Sequence, residues 1–302
     1  MKLVVSGASG FIGSALCSQL LHRGHTLTLL SRAAPRGANT GTKRWLHWRP
    51  GMIGDWESAL DGADGVINLA GEPIAKKRWT AKQKRRLRLS RIDTTVGLVR
   101  AIAKAKQKPK FLLSASGVGY YGPRGEETIG EEAEAGTDFL ARLCREWEEE
   151  AKKAEKLGVR VIRLRTGIVL GPGGGALAKM IPPFKFFVGG PLGTGKQWMS
   201  WIHLEDEIGL ILHLIENHQA GGPVNAAAPH PVTMKEFCRT LGKVMHRPSW
   251  LPVPAFVLRL LLGEMAEMLL TGQRVRPAAA EQFGYQFRYP NLPEALRACL
   301  PL

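Results

Sequence analysis

The chain has 302 residues, 44% of them hydrophobic and 23% charged, with a formal net charge of +16. This length and balance allow a full buried core and exclude a disordered or fibrous chain. Cys17, Cys144, Cys238 and Cys299 are scattered, with no CxxC and no His at ligand spacing; this reads as a reduced, cytoplasmic protein without a metal site.

The first stretch, "KLVVSGASGFIGSALCSQLLHRGHTLTLLSR", carries the most information. "LVV" is a short apolar strand, Gly7, Gly10 and Gly13 follow at GxxGxxG spacing, and a helix with apolar residues at 12, 16, 20 and 21 runs to Gly24. "TLTLL" is a second strand. Such glycines let the chain turn tightly against a pyrophosphate that accepts from the free N–H groups of the helix start. Where an NAD-binding fold places an acid, this chain has Ser31 and Arg32, with Arg36 nearby. A guanidinium suits a 2′-phosphate, so NADP(H) is the expected dinucleotide.

The alternation continues through "DGVINLAGEPI" (64–74, strand and loop), a long helix over about 80–106, and "KFLLSASGVGYYG" (110–122, strand and loop). "TDFLARLCREWEEEAKKAEKLG" (137–158) reads as a helix capped by Thr137 and ended by Gly158. "VRVIRLRTGIVLG" (159–171) is another strand. Together they predict an α/β fold, a Rossmann-type doubly wound parallel sheet. Its carboxyl edge should gather Asn68–Glu72, Ser114–Gly122 and Arg165–Gly167. Residues 1–170 read as the nucleotide-binding domain, joined by a later segment near 198–228. Residues 171–302 read as a smaller α+β substrate-binding or lid portion ending in a distinct segment over about 250–302.

Charge is segregated. Residues 76–110 hold 14 Lys/Arg against one acid, Asp93, whereas residues 126–150 hold ten Asp/Glu against Arg142 and Arg145. Leu89, Ile92, Val96, Val99 and Ala103 give the basic helix an apolar stripe, and Trp79 is its one aromatic neighbour. Without a stacking platform nucleic acid is not the expected partner. The basic face is expected to meet the acidic stretch, within the chain or across a homodimer. "GPLGTGKQ" (190–197) imitates a phosphate-binding loop, but Gln197 replaces the Ser/Thr and "WMSWIH" reads as strand. "FVLRLLLGEMAEMLL" (256–270) is broken by Arg259, Glu264 and Glu267, and so reads as a packing helix with no membrane role.

"GASGFIG", "NLAG", "SASGVGYYG" and "RTGIVLG", in this order, resemble the extended short-chain dehydrogenase/reductases. "WEEEA", "GGPLGTGKQWMSWIHLED", "NAAAP" and "TGQRVRP…GYQFRYPNLPEAL" narrow the resemblance to the atypical NADP-binding epimerase-family branch, similar to nucleoside-diphosphate-sugar epimerases. The resemblance implies that Gly7, Ser9, Gly10, Phe11, Ile12 and Gly13 hold the pyrophosphate and that Arg32 meets the 2′-phosphate. It also implies that Leu69, Ala70 and Gly71 line the path to the nicotinamide. Ser114 or Ser116 falls where the family has its active-site hydroxyl, Ser114 being grouped with the cofactor contacts and Ser116 with the chemistry.

Most of that superfamily uses Tyr-xxx-Lys on the helix that here presents Phe139 and Leu143, so the usual proton relay is missing. Cys144, a third of a turn away, is a poor substitute. Tyr120 and Tyr121, aided by Ser116, are the alternative proton donors, and Glu72 is an acid/base or ribose ligand. Arg91, Arg165 and His203 are candidates to orient an anionic substrate, and Asp206 to start a helix at about 204–217. Two functions follow: an NADP(H)-dependent oxidoreductase or epimerase acting on a small polar or nucleotide-linked substrate, or a non-catalytic NADPH-responsive regulatory protein.

Overall fold

The computed structural model describes residues 1–32 and 39–300. Seven strands build the central sheet: β1 (Lys2–Ser6), β2 (Thr26–Ser31), β3 (Lys43–His47), β4 (Gly65–Asn68), β5 (Phe111–Gly117), β7 (Arg160–Thr166) and β11 (Gly222–Ala226). Their order is β11-β7-β5-β4-β1-β2-β3, and every neighbouring pair is parallel. Succession runs one way from β1 to β3 and the other way from β4 to β11. The order therefore reverses between β1 and β4, which opens a crevice at their carboxyl ends. β3, "KRWLH", escapes the sequence reading because an edge strand with two cations lacks a continuous apolar run.

One face of the sheet is covered by α1 (Phe11–His22) and α5 (Leu204–Glu216), which bury Leu16, Leu20, Ile211 and Leu214 on Leu3, Val5 and Ile67. The other is covered by α2 (Ala81–Lys104) and α3 (Phe139–Lys152), which bury Leu98, Ile102 and Ala151 on Val66, Leu112 and Val161. The cap of α3 is Asp138, whose carboxylate accepts from the Ala141 N–H at 2.7 Å, one residue beyond the expected Thr137. The stripe of α2 is also rotated from expectation. Val96 and Ala103 face water, while Leu87, Arg91, Thr94, Thr95, Leu98 and Ile102 are buried. Hydrophobicity alone misplaces it because Arg91, Thr94 and Thr95 are buried polar groups with hydrogen-bond partners.

A second apolar core, with Phe184, Trp201, Phe237, Leu241 and Leu296, lies among α4 (Leu177–Lys185), α6 (Met234–Val244) and α10 (Leu292–Cys299). Three two-stranded pairs tie the loops: β8 (Ile168–Leu170) with β10 (Trp201–His203), β9 (Trp198–Met199) with β12 (Val232–Thr233), and β6 (Thr128–Ile129) with β13 (Arg274–Val275). Gln197 leads directly into β9, so no helix follows "GPLGTGKQ" to bind a phosphate. The later helices are α7 (Ala255–Leu262), α8 (Glu267–Leu270) and α9 (Ala278–Gln282).

Asp206 does more than start a helix. Its buried carboxylate accepts from the Tyr285 hydroxyl at 3.0 Å and from the N–H groups of Arg288 and Tyr289 at 2.7 and 2.9 Å, anchoring the C-terminal tail on α5. Asp206→Ala would leave these donors without their acceptor, and an unmet buried donor costs about 1–3 kcal/mol. We expect the variant to unfold at lower urea concentration, with a loss of about 3 kcal/mol in a linear-extrapolation fit.

Candidate active site

After β1 the chain turns at Gly7, which has φ +78°, and the Gly10 N–H donates to Gly7 O at 3.0 Å. A Cβ on Gly7 would lie 2.6 Å from the carbonyl carbon of Leu69, and one on Gly13 would collide with Gly7 O. The loop after β1 therefore lies flush against the loop after β4. Gly10 caps α1 without a side-chain hydrogen bond, and the first turn contains no acid. Its N–H groups are left for an outside acceptor at the positive end of the helix dipole, a fit for a diphosphate.

Ser9 and Gly10 are exposed there, with Ile12 half-buried. The Phe11 side chain packs. Its ring fills the space in which a Cβ on Gly171, Gly174 or Gly175 would have to sit, so the glycine-rich 171–175 stretch rests on the start of α1. The signal for that contact was present in "GPGGG", but nothing local gives its target.

Farther along the crevice, Arg32 at the end of β2 joins Lys82, Arg85 and Arg86 of α2 around an open cavity of about 320 Å³, completed by Pro50, Leu89 and Ser90. Among the described residues none of these four cations forms an ion pair. Other cations of α2 are already matched: Arg88 with Glu146, Lys84 with Glu264, and Arg100 and Lys104 with Glu57. The basic and acidic stretches thus meet within the chain at Arg88–Glu146, while a separate cluster of positive charge stays open. Arg36 lies outside the described residues.

Beneath the crevice is a closed polar network. The Ser6 hydroxyl donates to Asn68 Oδ1 at 2.7 Å, and Asn68 Nδ2 donates to Thr95 Oγ1 at 3.0 Å and Ser114 Oγ at 3.4 Å. Ser114 is therefore inside, holding β4 to β5. Leu69 and Ala70 are half-buried and Gly71 exposed along the edge. Arg91 lies under that loop, donating to Glu72 O at 3.1 Å and Leu87 O at 3.1 Å with its guanidinium over the Trp147 ring; burial lowers its pKa. It positions the loop rather than facing an anion. Glu72 is mostly buried, 3.8 Å from Lys76 Nζ.

The corner where the resemblance places the chemistry is built around a buried ion pair. Arg165 donates to both Glu148 oxygens, from Nε at 2.8 Å and Nη2 at 2.9 Å, and from Nη1 to the Tyr121 hydroxyl at 2.9 Å and Glu131 O at 3.0 Å. The Ser116 hydroxyl donates to Glu148 Oε1 at 2.7 Å, and the Tyr121 hydroxyl donates to Asn225 Oδ1 at 2.7 Å. Arg165 thus has every arm engaged, and Tyr121 is fully buried, its phenol pushed by burial up to about 12 against the pull of Arg165. Tyr120 is placed differently. It is half-buried, its ring stacks on the Arg165 guanidinium at 3.5 Å, and its phenol has no hydrogen-bond partner among the described residues.

The positions of the missing Tyr and Lys are plugged with apolar side chains. Phe139 packs edge-on against Trp79, and Leu143 is buried with Met265. Burial pushes the Cys144 thiol up to about 11, which keeps it a neutral thiol rather than a thiolate nucleophile at neutral pH. His203 is the N-cap of α5, its Nδ1 accepting from the Glu205 N–H at 3.2 Å, and burial lowers its pKa. Sequence reasoning overlooked Glu207. Burial pushes this carboxyl up to about 8; Oε1 accepts from the Thr166 hydroxyl at 2.9 Å, and Oε2 has no partner among the described residues.

Residues 3–227 match the NAD dependent epimerase/dehydratase family, and residues 253–299 match a domain of unknown function. The chain is 42% identical to the epimerase family protein SDR39U1 homolog, chloroplastic, of Arabidopsis thaliana, over 99% of this chain and 87% of that protein. It is also 42% identical to epimerase family protein YfhF of Bacillus subtilis (strain 168), over 98% and 97%. The crystal structure of human epimerase family protein SDR39U1 (isoform 2) with NADPH superposes with a TM-score of 0.89 at 36% identity, covering 99% of both chains.

Two outcomes test this corner. Glu148→Ala leaves a buried guanidinium unpaired and is expected to cost about 3–5 kcal/mol, read by urea unfolding. Glu207 is raised from its ordinary 4.5 to about 8 in the folded chain, so the folded state holds a proton that the unfolded state has lost. Stability should therefore fall as pH rises from about 4.5 through about 8. Glu207→Gln should flatten that slope in thermal melts; an unchanged slope would mean that other groups produce it.

Proposed function

The chain belongs to the NAD-dependent epimerase/dehydratase family, and from that premise we propose that it binds NADP(H) across the β1/β4 crevice and is an oxidoreductase- or epimerase-like enzyme. Its substrate is a small polar or nucleotide-linked molecule, and the Tyr-xxx-Lys pair is not used. The observation that carries the reading is a matched pair of anion sites. An uncapped helix start lies in a glycine cradle, and Arg32, Lys82, Arg85 and Arg86 line an open cavity. A dinucleotide with an additional phosphate on its adenosine ribose offers one anion to each.

The amides of residues 11–13 hold the diphosphate, and the four cations hold the 2′-phosphate. Leu69, Ala70 and Gly71 line the path between the two ends of the cofactor. When bound, the nicotinamide supplies or accepts hydride. Tyr120 handles the accompanying proton, since its phenol is free of the bonds that hold Tyr121 to Asn225 and Arg165. Ser116 and Glu148 fix Arg165, and Arg165 in turn supports the Tyr120 ring. Arg165 and Ser116 thus act by positioning.

Calorimetry separates the parts of this reading. Arg32→Ala and Arg85→Ala should each weaken NADPH about 10- to 100-fold and leave NADH nearly unchanged, because one charge-assisted contact is worth about 1.5–3 kcal/mol. Equal losses for both dinucleotides would remove the 2′-phosphate assignment. Tyr120→Phe should slow NADPH oxidation by carbonyl substrates without altering NADPH affinity. Absence of turnover across a broad carbonyl panel, with NADPH still bound, would favour the non-catalytic, NADPH-responsive reading.

A further inference from the structure

The helix α7, "AFVLRLLL", is apolar on its outer side as well as its inner one. Leu258 is its one fully buried side chain, while Phe256, Leu260 and Leu261 stand in water and Arg259 is the only charge on that side. A helix placed only to pack would turn this apolar arc inward. The exposed side chains are not scattered. Of the twelve large apolar residues most exposed among the described residues, eight lie in two chain segments: Phe186, Phe187 and Val188 after α4, and Trp250, Leu251, Phe256, Leu260 and Leu261. Phe186 is 76% exposed, Leu260 74% and Trp250 64%.

These segments are stitched together. The Trp250 indole donates to Phe187 O at 2.9 Å, the Leu251 N–H to Gly189 O at 3.2 Å, and the Val253 N–H to Pro191 O at 2.9 Å. The chain then passes from Val253 through Pro254 into α7. Phe187 itself has φ +62°, a left-handed conformation that costs a bulky residue energy, yet its ring stays more than half exposed. That is backbone strain spent on display.

The charge around this ridge selects its occupant. Residues 176–203 and 238–263 contain seven Lys/Arg and no Asp or Glu. Lys185 adjoins Phe186, Arg247 stacks on the Phe187 ring at 4.6 Å, and Lys185, Lys243 and Arg247 form no ion pair among the described residues. The neighbouring acids are neutralised within the chain, Glu264 by Lys84 and Glu267 by Arg259. A second copy docked face to face would set these cations against each other. An anionic lipid surface meets both properties, drawing the cations to its headgroups and taking the aromatic and leucine side chains into the headgroup–acyl boundary. No helix among the described residues is long and apolar enough to cross a membrane. We propose that the ridge formed by residues 185–188 and 247–261 docks this protein peripherally on anionic membranes. The proposal concerns docking on a membrane surface rather than a spanning segment, and it is independent of the cofactor.

Co-sedimentation of the full chain with vesicles tests it, using phosphatidylcholine alone or mixed with phosphatidylglycerol. Because a net charge of +16 attracts any anionic surface, the comparison that decides is between variants. Phe256→Glu/Leu260→Glu should lower partitioning onto phosphatidylglycerol vesicles at least tenfold. Lys106→Glu/Lys108→Glu, which changes charge by four units at an exposed site away from the ridge, should lower it much less in 0.5 M NaCl. Thermal melts should show both variants folded. In an independent arm, brominated lipids should quench wild-type tryptophan emission, and Trp250→Phe should remove most of that quenching. The proposal is overturned if wild type does not bind these vesicles, or if the ridge variant binds like wild type. It is equally overturned if the lysine variant loses as much, if quenching is independent of Trp250, or if light scattering shows a dimer that Phe256→Glu/Leu260→Glu splits.

Discussion

The flush stacking of two loops governs the nucleotide end of this molecule. Gly7 lies so close to Leu69, and Gly13 to Gly7, that no side chain fits at either glycine. This contact draws the start of α1 up to the crevice between β1 and β4 with its N–H groups unclaimed. Phe11 then occupies the hollow of three further glycines and brings the 171–175 stretch over the same helix start. A chain of close backbone approaches, each requiring a missing Cβ, makes the anion site and its cover parts of one device.

The opposite side of the site rests on charge. Glu148 and Arg165 are both nearly inaccessible to water, and such a pair is stable only when its remaining hydrogen-bonding positions are met. Ser116, Tyr121 and the Glu131 carbonyl meet them, so two candidate catalytic hydroxyls, those of Ser116 and Tyr121, are committed to holding α3, β5, β7 and the 118–131 loop together. Burial alone would disfavour the charge on Arg165, but Glu148 outweighs it and holds the guanidinium pKa above its ordinary value. Phe139 and Leu143 of α3 pack with Trp79 and Met265, so this face of the helix is apolar and carries no ionisable group at those two positions. The free phenol of Tyr120 is what that arrangement leaves available.

Charge segregation along the chain resolves into distinct surfaces. Part of the basic α2 is neutralised by Glu57, Glu146 and Glu264, and part lines the cavity beside Arg32. The acid-free segments around α4 and α7 are a separate basic region, distinguished by the exposed aromatic and leucine side chains between its cations. The same overall charge is therefore divided between a cavity and an open face.

Apart from the edge strand β3, the alternation of strands and helices in the first half of the chain, the crevice and the glycine cradle were legible in the residues themselves. Strand alternation, helical periodicity and GxxGxxG spacing are local properties, set by backbone sterics and by which side chains avoid water. The cap of α3 was misplaced by one residue, and the stripe of α2 by a rotation, because buried Arg91, Thr94 and Thr95 are polar and periodicity counts only apolar residues. Tyr121, read from its loop as a proton donor, and Arg165, read from its strand end as orienting an anionic substrate, are engaged by Asn225 and Glu148, 104 and 17 residues away in sequence. Asp206 likewise finds its donors 79 to 83 residues downstream. Partners at such separations are chosen by the packing of the whole chain, and so is exposure. Only the tertiary structure decided which ionisable groups are free to react and which apolar side chains remain in water, since both depend on what the rest of the fold brings alongside them.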